Sequence, residues 1–154
     1  MKYRVITLMV AILSCILLLG SCGSEEYEPK TFYARELSIE LNDSFSKQVS
    51  NTYDGKFVSY NLAVYVARDQ FDDLGDEEKV AELTLSEYAE QIIENNDLTC
   101  SVTLDKGLTT FTYTEFIDNE KYEFYTVVYK SDDAFWRVQF AGKAATVEEQ
   151  KDAI

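Results

Sequence analysis

The feature that most constrains this fold is a set of alternating apolar and polar runs between Ser101 and Ala141, separated by short clusters of turn formers. A side-chain period of two would scatter apolar residues around a helix, so the runs Ser101–Leu104, Leu108–Ile117, Lys121–Lys130 and Ala134–Ala141 are expected as strands. Asp105-Lys106-Gly107, Asp118-Asn119-Glu120 and Ser131-Asp132-Asp133 supply the connections, and links this short permit only an antiparallel meander. In the second run Phe111 and Tyr113 oppose Thr110, Thr112 and Thr114, which gives one wet face. The third places Tyr122 and Phe124 on one side and Tyr125, Val127 and Tyr129 on the other, as in a central strand covered on both faces. Trp136, Val138 and Phe140 set an apolar face on the last run against Arg137 and Gln139.

Upstream, Leu37, Ile39 and Leu41 alternate with Ser38, Glu40 and Asn42 in a first short strand. Phe57 to Arg68 reads as one long strand, with Val58, Tyr60, Leu62, Val64 and Val66 on one face and Ser59, Asn61, Ala63, Tyr65 and Ala67 on the other. Asp72 to Lys79 reads as an acidic, irregular connection. The period then changes: Thr84 opens a helix with Glu87 at the capping-box spacing, and Leu85, Tyr88, Ala89, Ile92 and Ile93 form one apolar stripe ending at Asn95-Asn96. Thr146 and Glu149 begin a second capping box, but few residues follow it. The expected fold class is α+β, an antiparallel β-sheet flanked by helices, in a single domain over residues 35–154.

The first 22 residues have another character. Lys2 and Arg4 precede an apolar stretch from Val5 to Leu19, too short to favour a membrane span, which needs about 20 apolar residues. Leu19-Gly20-Ser21 directly before Cys22 resembles the bacterial lipobox, the signal-peptide recognition sequence after which the cysteine is acylated. That resemblance implies a signal peptide over 1–21, lipid attachment at Cys22, and a lipidated, flexible tether over 22–34. It also implies a lipid anchor on the extracytoplasmic side of the membrane in the bacterial cell envelope. One acyl chain holds a protein only marginally, whereas two or more make a stable anchor. Cys15 departs with the signal and Cys22 is acylated, so Cys100 alone remains and no disulfide can form within the mature chain.

Acids outnumber Lys and Arg by 28 to 14, for a formal net charge of −14, and removal of Lys2 and Arg4 makes the mature chain more negative still. Such a surface repels phosphate backbones, which excludes nucleic acid as a partner and argues against direct docking on anionic lipid.

Leu85-Ser86-Glu87-Tyr88-Ala89-Glu90, Glu94-Asn95-Asn96 and the run Ser131 to Phe140 are similar to segments of bacterial lipoproteins with the PsbP/Mog1-like fold. The resemblance covers about Leu37 to Ile154 and implies an α/β/α sandwich. It also implies a non-catalytic accessory or binding role, since the family includes an extrinsic photosystem subunit and a small-GTPase-binding factor. Neither role brings a motif that aligns here residue by residue. The family closes on a longer helix than Thr146–Ile154, so the last helix is expected to be truncated or the sheet barer.

The chain has no histidine. That excludes a Ser-His-Asp or Cys-His relay and any imidazole-bound zinc, and no glycine-rich phosphate loop is present. An enzyme would have to rely on a pair of carboxylates, a carboxylate-dependent hydrolase, and the expectation is that the chain is not an enzyme and carries no cofactor. Asp72, Asp73, Asp76 and Glu77 are the candidate calcium ligands, although their spacing is not that of an EF-hand loop. Tyr65, Tyr113, Tyr125 and Tyr129 are candidates for a stacking surface that takes a glycan, a peptide or another envelope protein. The reading is therefore a membrane-anchored extracytoplasmic binding or accessory module for an envelope protein, with capture of a small ligand, glycan or calcium as the alternative.

Overall fold

The computed structural model describes residues 28–144, 146 and 147. The expected signal segment with Leu19, Gly20, Ser21 and Cys22, the start of the expected tether, and most of the expected helix from Thr146 to Ile154 lie outside the described residues. Alternation carries the described chain into a hairpin of β1 (Pro29–Ala34) and β2 (Leu37–Asn42), followed by β3 (Ser46–Lys47), β4 (Gly55–Val58) and β5 (Leu62–Gln70). Helices α1 (Phe71–Leu74), α2 (Glu77–Glu82) and α3 (Leu85–Asn95) come next. The meander β6 (Thr103–Asp105), β7 (Leu108–Ile117), β8 (Glu120–Lys130) and β9 (Ala134–Lys143) completes the order. The chain is thus α+β, with helices against an antiparallel sheet. Among the described residues no helix is long and apolar enough to cross a membrane.

Seven strands form one sheet in the order β3-β4-β5-β9-β8-β7-β6, and every pairing is antiparallel. The meander turns follow from local chemistry. Lys106 and Gly107 take φ of 49° and 83°, and Asp118 and Asn119 take 52° and 64°. Two consecutive left-handed residues match the twist of the flanking strands, and Gly and Asn adopt that conformation at little cost. β8 lies between β9 and β7, and its consecutive residues Tyr125, Thr126, Val127 and Val128 are all buried, so its inner half is covered on both faces.

The two faces carry separate cores. Under the helices, Phe71, Val80, Tyr88 and Ala89 pack with Phe111, Val128 and Phe135 of the sheet. The Tyr88 ring stacks on Phe135 at 4.0 Å. The opposite face is closed by Phe32, Ala34, Leu37 and Leu41 of the β1–β2 hairpin, by Phe45, and by Val147 of the terminal helical turn, all against Val64, Val66, Val127, Trp136, Val138 and Phe140. Phe57, Phe71, Phe111 and Phe135 are essentially inaccessible, and burial of each is worth about 2–3 kcal/mol. Lys130 Nζ donates to the carbonyls of Ala81 and Leu83 at 2.6 and 2.8 Å, a cation at the end of α2 that ties the helical layer to β8.

Three expectations are corrected. Phe57–Arg68 is not one strand but a hairpin: Ser59 N–H donates to Leu62 O at 2.9 Å, and Tyr60-Asn61 forms the reversal. Phe57 therefore opposes Val64 and shares the buried face with Leu62, Val64 and Val66, whereas Tyr60 is 98% exposed. Residues 29–34, assigned above to the tether, are a strand, because Phe32 and Ala34 bury their side chains against the hairpin's sheet neighbours. The acidic stretch Asp72–Lys79 is not irregular. It carries most of α1 and the first half of α2, each held by one buried anchor at the flank of the stretch, Phe71 and Val80.

Candidate functional site

Register decides which side chains meet. Tyr65 on β5 pairs with Gln139 on β9, and Gln139 pairs with Thr126 on β8, so these three form one row across the helix-side face. Arg137, two residues from Gln139, and Tyr113 on β7 lie on the same face. The capping box of Thr84 and Glu87 starts α3 as expected. The helix ends because Asp97 adopts φ 52°: its N–H bonds to Glu94 O at 3.1 Å, and Leu98 N–H bonds to Ile93 O at 2.9 Å. This pair of bonds is the Schellman closure, built on aspartate in place of glycine. The helix therefore stops short of the outer sheet and leaves a cleft of about 240 Å³ between Ile92, Asn96 and Leu98 above, the tyrosine row below, and Tyr53 from the loop before β4.

The polar groups that line this cleft are largely bonded to one another or to Asp69, which does not itself line it. Arg137 donates to Asp69 through Nε at 2.9 Å and Nη2 at 3.1 Å, and the Tyr88 hydroxyl donates to the same carboxylate. Gln139 Nε2 donates to Thr126 Oγ1 at 3.0 Å and to Tyr113 OH at 3.3 Å. The Tyr53 and Tyr65 rings pack with centroids 4.7 Å apart, and Tyr113 stacks on Phe124 at 4.8 Å. Burial, with the neighbouring Tyr53 phenol, raises the Tyr65 pKa, and burial likewise raises that of Tyr113. Both are neutral hydrogen-bonding hydroxyls at ordinary pH. Burial alone would lower the Arg137 pKa, but Tyr88 and Asp69 outweigh it and hold the guanidinium protonated.

This arrangement can recognise but has little with which to react. Its lining holds a single carboxylate, Glu115, so the paired acids required for glycoside hydrolysis are not brought together there. Arg137 is compensated by Asp69 while Glu115 is exposed, and the cleft presents aromatic rings, an amide and hydroxyls, the groups that orient a polar ligand or a peptide.

Of the tyrosine candidates, Tyr65 and Tyr113 meet in the cleft and Tyr125 and Tyr129 do not. Thr126 faces the cleft, so its odd-numbered neighbours on β8 point to the other side, where Tyr125 is buried in the core and Tyr129 packs against it. Burial pushes the Tyr129 pKa up to about 12. The proposed acidic ligands do not converge: Asp72 and Asp73 lie in the first turn of α1, Asp76 precedes α2 and pairs with Lys79 at 2.9 Å, and Glu77 follows it. Among the described residues no three acids or cysteines are placed to hold a metal ion. Cys100 is half-buried, and burial raises its thiol pKa, which keeps it in the unreactive protonated form. Sequence reasoning missed Tyr53, which stands in a polar stretch, and treated Arg137 and Gln139 only as the wet side of their strand. Their spacing of two on a strand opposite Tyr65 was the available signal.

No family model matches this chain, and no curated protein matches it. Among solved structures it is similar to the Saccharomyces cerevisiae Ran-binding protein Mog1p, at 12% identity and TM-score 0.47, over 82% of this chain and 85% of that one. It is also similar to the Pseudomonas aeruginosa protein PA94, of unknown function, at 12% identity and TM-score 0.44, over 81% and 90% of the two chains. A third is LpqN of Mycobacterium tuberculosis, involved in cell envelope biogenesis, at 14% identity and TM-score 0.37, over 84% and 80%. Likenesses at these scores carry no argument, and the functional reading rests on this chain's own residues.

Proposed function

We propose that this protein is a lipid-anchored lipoprotein of the bacterial envelope, held by acyl groups on Cys22, whose domain is a non-catalytic binding or accessory module for an envelope protein. The lipobox-like run Leu19-Gly20-Ser21-Cys22 supports the anchor. The observation that carries the binding role is the cleft itself, where Gln139 bonds to Tyr113 and Thr126, Arg137 is held by Asp69, and aromatic rings, an amide and hydroxyls are left as the surface offered to a partner. A photoreactive amino acid at Tyr65, activated in native membranes, should yield one reproducible crosslinked envelope protein. The same probe at exposed Asp72 should not. Absence of any adduct from position 65, or identical adducts from both positions, would end this reading.

The cleft volume also favours a second reading, capture of a small neutral polar ligand such as one saccharide unit. The hydroxyls of Tyr53 and Tyr65 have no hydrogen-bond partner among the described residues and would serve that ligand. A thermal-shift screen discriminates, because a ligand that binds only the folded state must raise the melting temperature.

A further inference from the structure

The register of β7 leaves half of its edge open. β6 pairs only with Leu108, Thr109 and Thr110, and no backbone hydrogen bond reaches the outer side of β7 beyond Thr110 among the described residues. Which groups stand open follows from pairing alternation. The two-residue turn Asp118-Asn119 makes Ile117 and Glu120 a hydrogen-bonded pair, so the odd-numbered residues Tyr113, Glu115 and Ile117 turn their N–H and C=O toward β8. The turn Lys106-Gly107 makes Asp105 and Leu108 the corresponding pair, so the even residues turn theirs toward β6. Past the end of β6, Thr112, Thr114 and Phe116 thus direct their backbone donors and acceptors outward. Thr112 is half-buried, while Thr114 is exposed and Phe116 is 75% exposed.

The chain before β6 does not cover this edge, because Leu98, Cys100 and Val102 turn away to pack against the helical core. Native sheets usually shorten, charge or cover such edges. Here the edge bears an exposed aromatic residue and two acids, Glu115 and Asp118, with no cationic partner among the described residues. A formal charge of −14 opposes pairing of two copies and favours a cationic partner.

We infer that the open edge of β7 from Thr112 to Phe116 is the docking strand for an extended basic segment of the partner protein, which adds to the sheet antiparallel or parallel by main-chain hydrogen bonds. This deepens the binding role proposed above and rests on it. The side chains of the incoming strand alternate between the two faces. On one face they lie beside Thr112, Thr114 and Phe116, which suits β-branched or aromatic residues; on the other they lie beside Tyr113, Glu115 and Ile117, which suits Lys or Arg at the centre.

The test is hydrogen exchange on the detergent-solubilised protein with a capped octapeptide of alternating lysine and valine, compared with one of alternating glutamate and valine. The lysine peptide should slow exchange at the Thr112, Thr114 and Phe116 amides at least tenfold and leave the Tyr113 and Glu115 amides unchanged, while the glutamate peptide should do neither. Thr114→Pro, tolerated on an open edge, should abolish the protection with the circular dichroism spectrum retained, and Glu115→Lys should transfer it to the glutamate peptide. Equal protection by both peptides, protection at the odd-numbered amides, or protection that rises with protein concentration alone would overturn the proposal. The last result would make the edge a self-association site. A reproducible crosslink from Tyr65 alongside failure of these peptide effects would remove the edge and leave the broader binding role standing.

Discussion

Replacing Asp69 with alanine removes the carboxylate that receives both Arg137 nitrogens and the Tyr88 hydroxyl, so it tests whether the cleft is held by this constellation. The side chains of Arg137 and Asp69 are 32% and 24% exposed, which places the pair between two regimes. Loss of an exposed pair costs about 0–1 kcal/mol, and breaking a buried one about 3–5 kcal/mol because a charge is left uncompensated. About 2 kcal/mol is the value for this exposure, and the Tyr88 hydroxyl left without its acceptor adds about 1 kcal/mol. The total of about 3 kcal/mol corresponds to a fall in melting temperature of roughly 10 °C for a domain of this size. Urea unfolding followed by fluorescence of Trp136, the only tryptophan, reads it directly. The double variant Asp69→Leu with Arg137→Met removes both charges and should return to within about 1 kcal/mol of the parent. A loss below about 1 kcal/mol for Asp69→Ala, or strict additivity in the double variant, would mean that the Arg137–Asp69–Tyr88 set does not hold the cleft.

Three further outcomes are expected. A Cβ at Gly142 would lie 2.7 Å from the Asn61 carbonyl oxygen and 3.1 Å from Leu62 Cδ1, so Gly142→Ala should cost about 2–3 kcal/mol, against about 1 kcal/mol for Gly107→Ala, where the only obstacle is φ of +83°; equilibrium unfolding compares them. Thr84→Ala removes the capping box of α3 and should cost about 1 kcal/mol in the same assay. The Tyr129 pKa rises from 10.0 unfolded to about 12 folded, so the neutral phenol favours the fold. Its contribution of roughly 2–3 kcal/mol is whole below pH 10 and disappears as pH climbs toward 12, and Tyr129→Phe should flatten stability over that window.

The meander was readable because its turns use Gly107 and Asn119, residues that accept left-handed backbone, between strands of unbroken period. The β4–β5 hairpin was hidden for the converse reason. Neither Tyr60 nor Asn61 takes a positive φ, no glycine marks the reversal, and alternation continues across it as though the strand did. Glu28 and Pro29 gave the start of β1 the composition of a linker, although proline is acceptable as the first residue of a strand. Half of the cleft was visible as Tyr65 and Tyr113. Its joining to Arg137 and Gln139 needed the β5–β9–β8 register, a nonlocal pairing that no single segment encodes. The same lack of register is why Tyr125 and Tyr129 were grouped with residues that lie across the sheet from them.

The proposed anchoring of a binding module at the membrane, with its domain presented outward, is open to a direct test in spheroplasts grown with a traceable fatty acid and then exposed to an external protease. The label should appear on a mature chain beginning at Cys22, and the membrane-bound domain should be digested without opening the cells. A chain that carries no fatty acid, or a domain that survives until the membrane is breached, would rule out this placement.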